Sequence, residues 1–237
     1  MYIDSKGRVR DVRYRLFPVF SELLKPDTEM AALIDRIRQP HVAAWGNRIA
    51  TTSRLLYRRG NFMGTVDQLI CAALRREFDA EIALSPGFRW GATLLPNQSL
   101  TMEDVLAETA ITYPETYVSR LKGSDIKNTL EDVCDNLFNA DPYHQQGGDM
   151  VRVGGLSYSC TPSENIGRRI SDLKLDNGRT IEPNKQYKVA GWAAIATQQG
   201  TPVWDVVARQ LGSSKPVNPS ASDVALRGVT GNPGLAE

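Results

Sequence analysis

The sequence predicts an α+β fold, and three observations carry that reading. Segments of helical and of strand periodicity are interleaved along the chain rather than grouped. Hairpin turn signals are frequent, which favours layered α+β packing over a purely parallel sheet. The chain has 237 residues, 41% of them hydrophobic and 23% charged, which suffices for one large domain with appendages.

The elements follow in order. Residues 2–16 read as a hairpin turning at Ser5-Lys6-Gly7, with Arg8 to Leu16 alternating basic and apolar at period two. The arginines suit the solvated face of an antiparallel strand better than a nucleic-acid patch. A lone hairpin is barely stable, so this one is expected to complete another sheet. Pro26-Asp27 opens a helix through about Arg38, with Met30, Leu33, Ile34 and Ile37 at helical spacing and Pro40 beyond it. Residues 50–58 are extended or irregular. Asn61 is a cap for a helix from Phe62 to Phe78, whose stripe is Phe62, Val66, Leu69, Ile70, Ala73, Leu74 and Phe78. Ile82–Leu84 is a strand. Thr101 caps a short helix beginning at Met102, with acids in its first turn.

Tyr117–Leu121 is a strand, and Gly123-Ser124 starts a helix with Ile126, Leu130, Val133, Cys134 and Leu137 on one face. After a Gly/Asp-rich loop at 145–149, Met150–Tyr158 reads as one strand. Ile170–Leu175 and Thr180-Ile181 flank the hairpin turn Asp176-Asn177-Gly178. Tyr187–Ala190 is a strand, and Thr201-Pro202 begins the last helix, with Val203, Val206, Val207 and Leu211 inward. Residues 212–237 are rich in Ser, Pro, Gly and Asn and read as a tail or surface-draped coil.

Bulk properties exclude several classes. The net charge of +1 gives no global field for nucleic acid or membrane. No apolar run approaches the roughly 18 residues of a membrane span, and the first residues lack the apolar core of a signal peptide. Three scattered cysteines, Cys71, Cys134 and Cys160, make no disulfide framework; at most one pair can bridge, and spacing does not say which. Two histidines, His41 and His144, with no HxH, HExxH or CxxC, leave little for a transition-metal site, so no metal ligand is assigned.

The candidate site is Ser85-Pro86-Gly87-Phe88-Arg89-Trp90-Gly91, directly after an apolar strand. Glycine allows sharp turns and close backbone approach. The Arg89 fork of donors suits a tetrahedral oxyanion, which makes the loop an anion cradle. An arginine can orient such an anion but cannot hydrolyse it alone.

Several longer words recur in an order that resembles the C-terminal domain of the 5'-nucleotidase family over residues 45–211. They are Gly60-Asn61-Phe62-Met63-Gly64-Thr65-Val66-Asp67-Gln68-Leu69-Ile70, Pro86-Gly87-Phe88-Arg89, Leu100-Thr101-Met102-Glu103-Asp104-Val105, Arg120-Leu121-Lys122-Gly123-Ser124-Asp125-Ile126 and Val151-Arg152-Val153-Gly154-Gly155-Leu156. The resemblance implies a layered α/β/β/α arrangement. Arg58-Arg59-Gly60-Asn61-Phe62, Gly87-Phe88-Arg89-Trp90-Gly91 and Gly147-Gly148-Asp149-Met150-Val151-Arg152 point within that family to the Sox-type thiosulfohydrolases. Those enzymes cut sulfate from a thiosulfonated cysteine on a carrier protein, using two manganese ions in an N-terminal metallophosphoesterase domain.

The family's Asp-x-His, Asn-His and His-x-His metal motifs do not occur in this sequence. The resemblance therefore makes residues 1–25 the last strands of that other domain, residues 26–44 a linker helix, and the whole a C-terminal portion of a hydrolase. It implies that the chain binds no metal itself, is inactive alone, and belongs to an exported, periplasmic parent family. Its implied partners are the Sox sulfur-carrier arm and, if the gene is split, a separate catalytic half; no nucleic acid and no membrane are implied.

By the same resemblance Arg89 holds the phosphate or sulfonate end of the substrate, with Gly87, Phe88 and Trp90 beside it. Asp149 and Arg152 flank the channel. Nucleotidases clamp the base between two rings, and here only Trp192 stands near either matching position. Trp192 and Trp90 could equally be packing residues. The alternatives are a nucleotide-hydrolysing 5'-nucleotidase domain, which the missing clamp disfavours, and a non-catalytic anion- or peptide-binding module.

Overall fold

A computed structural model describes residues 1–237 apart from 21, 59, 63, 89, 195–198, 213–216, 220–223 and 230–237. The chain divides into two units, Met1–Ala43 and Ala44–Glu237.

In the first unit β1 (Tyr2–Ile3) pairs antiparallel with β2 (Val9–Asp11). Asp4 holds the turn by accepting the backbone N–H groups of Lys6 and Arg8 and the Arg10 guanidinium. The strands are shorter than the 2–16 alternation predicts. Helix α1 (Thr28–Arg38) starts where Asp27 accepts the N–H of Met30, with Glu29 in its first turn and Arg36 and Arg38 in its last, as the helix dipole favours. Its apolar stripe is exposed: Met30, Ile34 and Ile37 are each about half accessible or more. Val42–Trp45 forms a short helix, α2, that the sequence reading missed.

The second unit is organised by a four-stranded sheet. Its strands are β4 (Ile82–Ser85), β6 (Thr116–Lys122), β7 (Arg152–Gly154) and β10 (Gln186–Trp192), in the order β6-β10-β4-β7. Strands β4 and β10 run parallel, and the outer pairings are antiparallel. Alternate residues of the two central strands divide between two cores, as the strand period requires. Ala83, Ala190 and Trp192 join one core with α3 (Thr65–Phe78), α4 (Met102–Thr109) and α6 (Val203–Leu211). Ile82, Leu84, Tyr187 and Val189 join the other with α5 (Gly123–Phe138), β8 (Leu156–Cys160) and β9 (Ile170–Leu175). A small antiparallel pair, β3 (Arg48–Thr51) with β5 (Ser99–Thr101), borders the first core. The mixed α+β class is that of the sequence reading.

Three details differ from expectation. The long helix begins at Thr65 with Gly64 at its cap, not at Phe62. Phe62 instead stacks on Phe138, 6.2 Å between ring centres, in the second core. Gly64 is needed there because a side chain would lie 2.6 Å from the Tyr57 carbonyl. The single strand expected over Met150–Tyr158 is broken at Gly155, whose φ of +77° turns β7 into β8 and carries the chain to another sheet. In the expected tail, Val224–Leu226 forms β11, parallel to β8, and Val217 bridges to Thr52. The tail composition concealed a strand that is recruited only by the neighbouring edge.

Candidate functional site

The parallel pairing of β4 and β10 brings two strand ends together. Leu84 pairs with Gly191, Ser85 pairs with Arg152 across β7, and Trp192 pairs with Thr116 across β6. Trp192, Ser85 and Arg152 thus form a row on one face of the sheet, and Trp192 Nε1 donates to Ser85 Oγ at 2.8 Å. The 85–91 loop leaves from this row. Carboxyl ends of neighbouring parallel strands are where open α/β sheets commonly place ligands.

Beneath the loop lies a buried ionic network centred on Asp67. Asp67 Oδ1 accepts from Arg58 Nε at 3.1 Å, and its Oδ2 lies 3.3 Å from Arg152 Nε. The same carboxylate accepts the N–H of Gly64, so the start of α3 is tied to both arginines. Arg152 continues to Asp149 Oδ2 at 3.2 Å and to the Gly60 carbonyl. Arg58 also donates to the carbonyls of Glu108 and Pro86. Arg58, Asp67, Asp149 and Arg152 are all buried. Burial pushes the Asp67 carboxyl up, and the Arg58 and Arg152 guanidiniums pull against it. The four charges of this group cancel, which is how such a cluster survives out of water.

An aromatic wall encloses Arg58. Its guanidinium carbon lies 5.0 Å from the centre of Phe88, 5.4 Å from Trp192 and 6.0 Å from Trp90, all within cation–π range. Phe88 stacks on Trp90 at 3.9 Å and meets Trp192 edge-on at 5.7 Å. Trp192 is buried, whereas Trp90 is 43% exposed, so the wall has an inner ring and an outer one. Gly87 packs against the next loop: a Cβ there would sit 2.5 Å from the Met150 carbonyl and 2.8 Å from Asp149 Cβ.

Glu108 of α4 closes the floor. It is buried, and neither carboxylate oxygen makes a hydrogen bond of ordinary geometry among the described residues. Burial raises its carboxyl to about 7, against the pull of Arg58 and of the nearby Ala92 N–H. Gly91, at φ +123°, is where the loop passes the carboxylate; a Cβ there would lie 2.1 Å from an oxygen of Glu108.

Of the residues singled out from sequence, Gly87, Phe88, Trp90, Asp149, Arg152 and Trp192 are brought together in this one site. Arg89 lies outside the described residues. Arg152 is fully buried against Asp67, Asp149 and the Gly60 carbonyl, so it supports the loop from below instead of facing solvent. Tyr143 and His144 are exposed. Sequence reading placed Ser85 in the candidate loop but missed Arg58, Asp67 and Glu108 as site residues. Two of these carried a signal: Asp67 stands among the apolar positions of α3, and Glu108 lies one turn after Val105 on the buried face of α4. Arg58 sits in an irregular segment with no periodicity to mark it.

Among the described residues no group of three or more His, Cys, Asp or Glu is placed to hold a metal ion. The Asp67 and Asp149 carboxylates are tied to arginines and Glu108 stands alone, and that donor set does not fit a dimanganese centre. No helix of the described residues is long and apolar enough to cross a membrane.

The family model described as 5'-nucleotidase, C-terminal domain, matches residues 48–208. No curated protein matches the chain. Among solved structures, the sulfate thiohydrolase SoxB of Thermus thermophilus, in complex with glycerol, is 33% identical with a TM-score of 0.85; the match covers 95% of this chain and 43% of that one. A 5'-nucleotidase precursor from Thermus thermophilus is 19% identical with a TM-score of 0.66, covering 85% of this chain and 43% of that one. A 5'-nucleotidase from Staphylococcus aureus is 14% identical with a TM-score of 0.62, covering 86% of this chain and 44% of that one; its likeness, like the previous one, is of fold alone. This chain thus spans less than half the length of each of these relatives. With a buried arginine–aromatic site at the strand ends of this fold and the family's pattern along residues 48–208, the chain belongs to the 5'-nucleotidase C-terminal domain family.

Proposed function

We propose that this chain is the substrate-recognition portion of a Sox-type thiosulfohydrolase, an enzyme that releases sulfate from a cysteine S-thiosulfonate on a carrier protein. The observation that supports it most is the 33% identity to a sulfate thiohydrolase along 95% of the chain. In this reading the 85–91 loop presents Arg89 to the terminal sulfonate. Phe88 and Trp192 hold the loop through Arg58, Trp90 forms its outer wall, and the Asp149–Arg152 pair braces the far side under Gly87. The stack of Phe88 on Trp90 at 3.9 Å leaves no slot for a nucleobase between those rings, which favours a slender thiosulfonate arm over a nucleotide. The chain's own residues bind and orient the anion and exclude water from its base. The bond-breaking step belongs to the rest of the enzyme, with its manganese centre, and export to the periplasm belongs to the same proposal.

The test has two parts. The isolated chain, with or without Mn²⁺, is expected to release no sulfate from a thiosulfonated carrier peptide; turnover would refute the division of labour. In an enzyme that contains this chain and its catalytic portion, Arg89→Ala is expected to slow turnover by about 10²–10³, the usual loss for one oxyanion donor. A near-normal rate would remove Arg89 from the mechanism.

A further inference from the structure

Two of the three cysteines meet in the second core. Cys134 Sγ on α5 lies 3.5 Å from Cys160 Sγ at the end of β8, and both residues are wholly buried. Cys71 belongs to the first core, on the opposite side of the four-stranded sheet, and packs under Gly154. The fold thereby selects one pair out of the three that the composition allows.

The approach is held by independent contacts on both sides of the thiols. Glu131, one turn before Cys134, accepts the backbone N–H groups of Gly167, Arg169 and Ile170. Asp135, the next residue after Cys134, accepts from Arg169 Nη1 at 2.5 Å, while Arg169 Nη2 donates to the Phe138 carbonyl and its Nε to that of Pro162. At the other end, Cys160 pairs with Ile170 across β9, and its carbonyl accepts the N–H of Arg227. Helix and strand are thus clamped in register around the two sulfurs. A disulfide needs about 2.05 Å between sulfurs, so closure asks for a movement of roughly 1.5 Å, within reach of side-chain rotation.

We propose that Cys134 and Cys160 are a dithiol–disulfide pair, oxidised by exchange with a disulfide donor such as oxidised glutathione or a thiol oxidoreductase. In the net reaction the two protein thiols give up two protons and two electrons and form the S–S bond. The donor disulfide accepts them and leaves as two thiols. The bond would close the segment 134–160, which carries the 145–149 loop together with Asp149 and Arg152. It would therefore fix one wall of the candidate site covalently to the core.

The test is refolding of the full chain from denaturant in a buffer of oxidised and reduced glutathione, followed by alkylation, thiol counting and peptide mapping. The expected product retains one alkylatable thiol of the three, on Cys71, with the 134 and 160 peptides joined. Its thermal midpoint falls by about 10 °C when reductant is added, as removal of a crosslink over a loop of this length implies. Three alkylated thiols, a mixed glutathione disulfide as the end product, or a bridge involving Cys71 would each overturn the proposal. Cys71→Ser is expected to leave the crosslink intact, and its loss in that variant would count equally against it.

Discussion

Asp67 is the residue on which the buried network turns, and Asp67→Asn measures that. Asparagine keeps the shape and one carbonyl oxygen but removes the charge. Arg58 would lose the carboxylate that anchors its Nε and keep only the carbonyls of Glu108 and Pro86. Arg152 would keep Asp149 and the Gly60 carbonyl. One net positive charge would then be left in a site where both arginines are buried. Breaking a buried pair in this way costs about 3–5 kcal/mol. Because Arg152 retains a carboxylate, the value should fall toward the lower end, about 3 kcal/mol. For a chain of this size that is a fall in thermal midpoint of about 6–12 °C. Urea unfolding followed by circular dichroism provides the free energy directly, with the slope checking that the folded state is unchanged. Arg58→Met alone and in combination with Asp67→Asn completes a double-mutant cycle. A loss below about 1 kcal/mol for Asp67→Asn, or additive effects in the cycle, would refute the claim that these charges support one another.

Other outcomes follow from the same geometry. Glu108 has its carboxyl raised to about 7 from an ordinary 4.5, so the folded state holds the proton more tightly than the unfolded chain. Its stabilising effect is complete below about pH 4.5 and is lost as pH rises to about 7. Glu108→Gln should flatten the stability profile in that window by about 3 kcal/mol, and an unchanged profile would exclude Glu108 as its origin. Trp192→Phe removes the donor to Ser85 while keeping an aromatic ring against Arg58. The expected loss is about 1 kcal/mol in chemical denaturation, and a loss above 4 kcal/mol would mean the indole does more than pack and donate. Gly155→Ala must accept φ +77° and a Cβ 2.2 Å from the Glu81 carbonyl, so it should destabilise by about 2 kcal/mol or more; a neutral variant would show that the β7–β8 corner can relax.

The sequence by itself determined the elements and the neighbourhood of the site. Periodicity and caps placed α1, α4, α5 and α6 closely, because their signals are local: Asp27 and Thr101 accept the N–H groups expected of N-caps. The 85–91 loop stood out because glycines, aromatics and arginine are adjacent in the chain. What only the tertiary structure decided is everything that depends on partners far apart in sequence. Asp67, already paired with Arg58, meets Arg152 far along the chain, and no pattern within either segment states that pairing. Gly155 sends one continuous apolar run into two sheets, since a positive φ is visible only in the folded backbone. Val224–Leu226 becomes a strand because β8 offers it an edge, and Cys134 finds Cys160 because α5 is clamped over that strand. Local sequence fixes what a segment can form, whereas long-range burial chooses which charges must be neutralised and by whom.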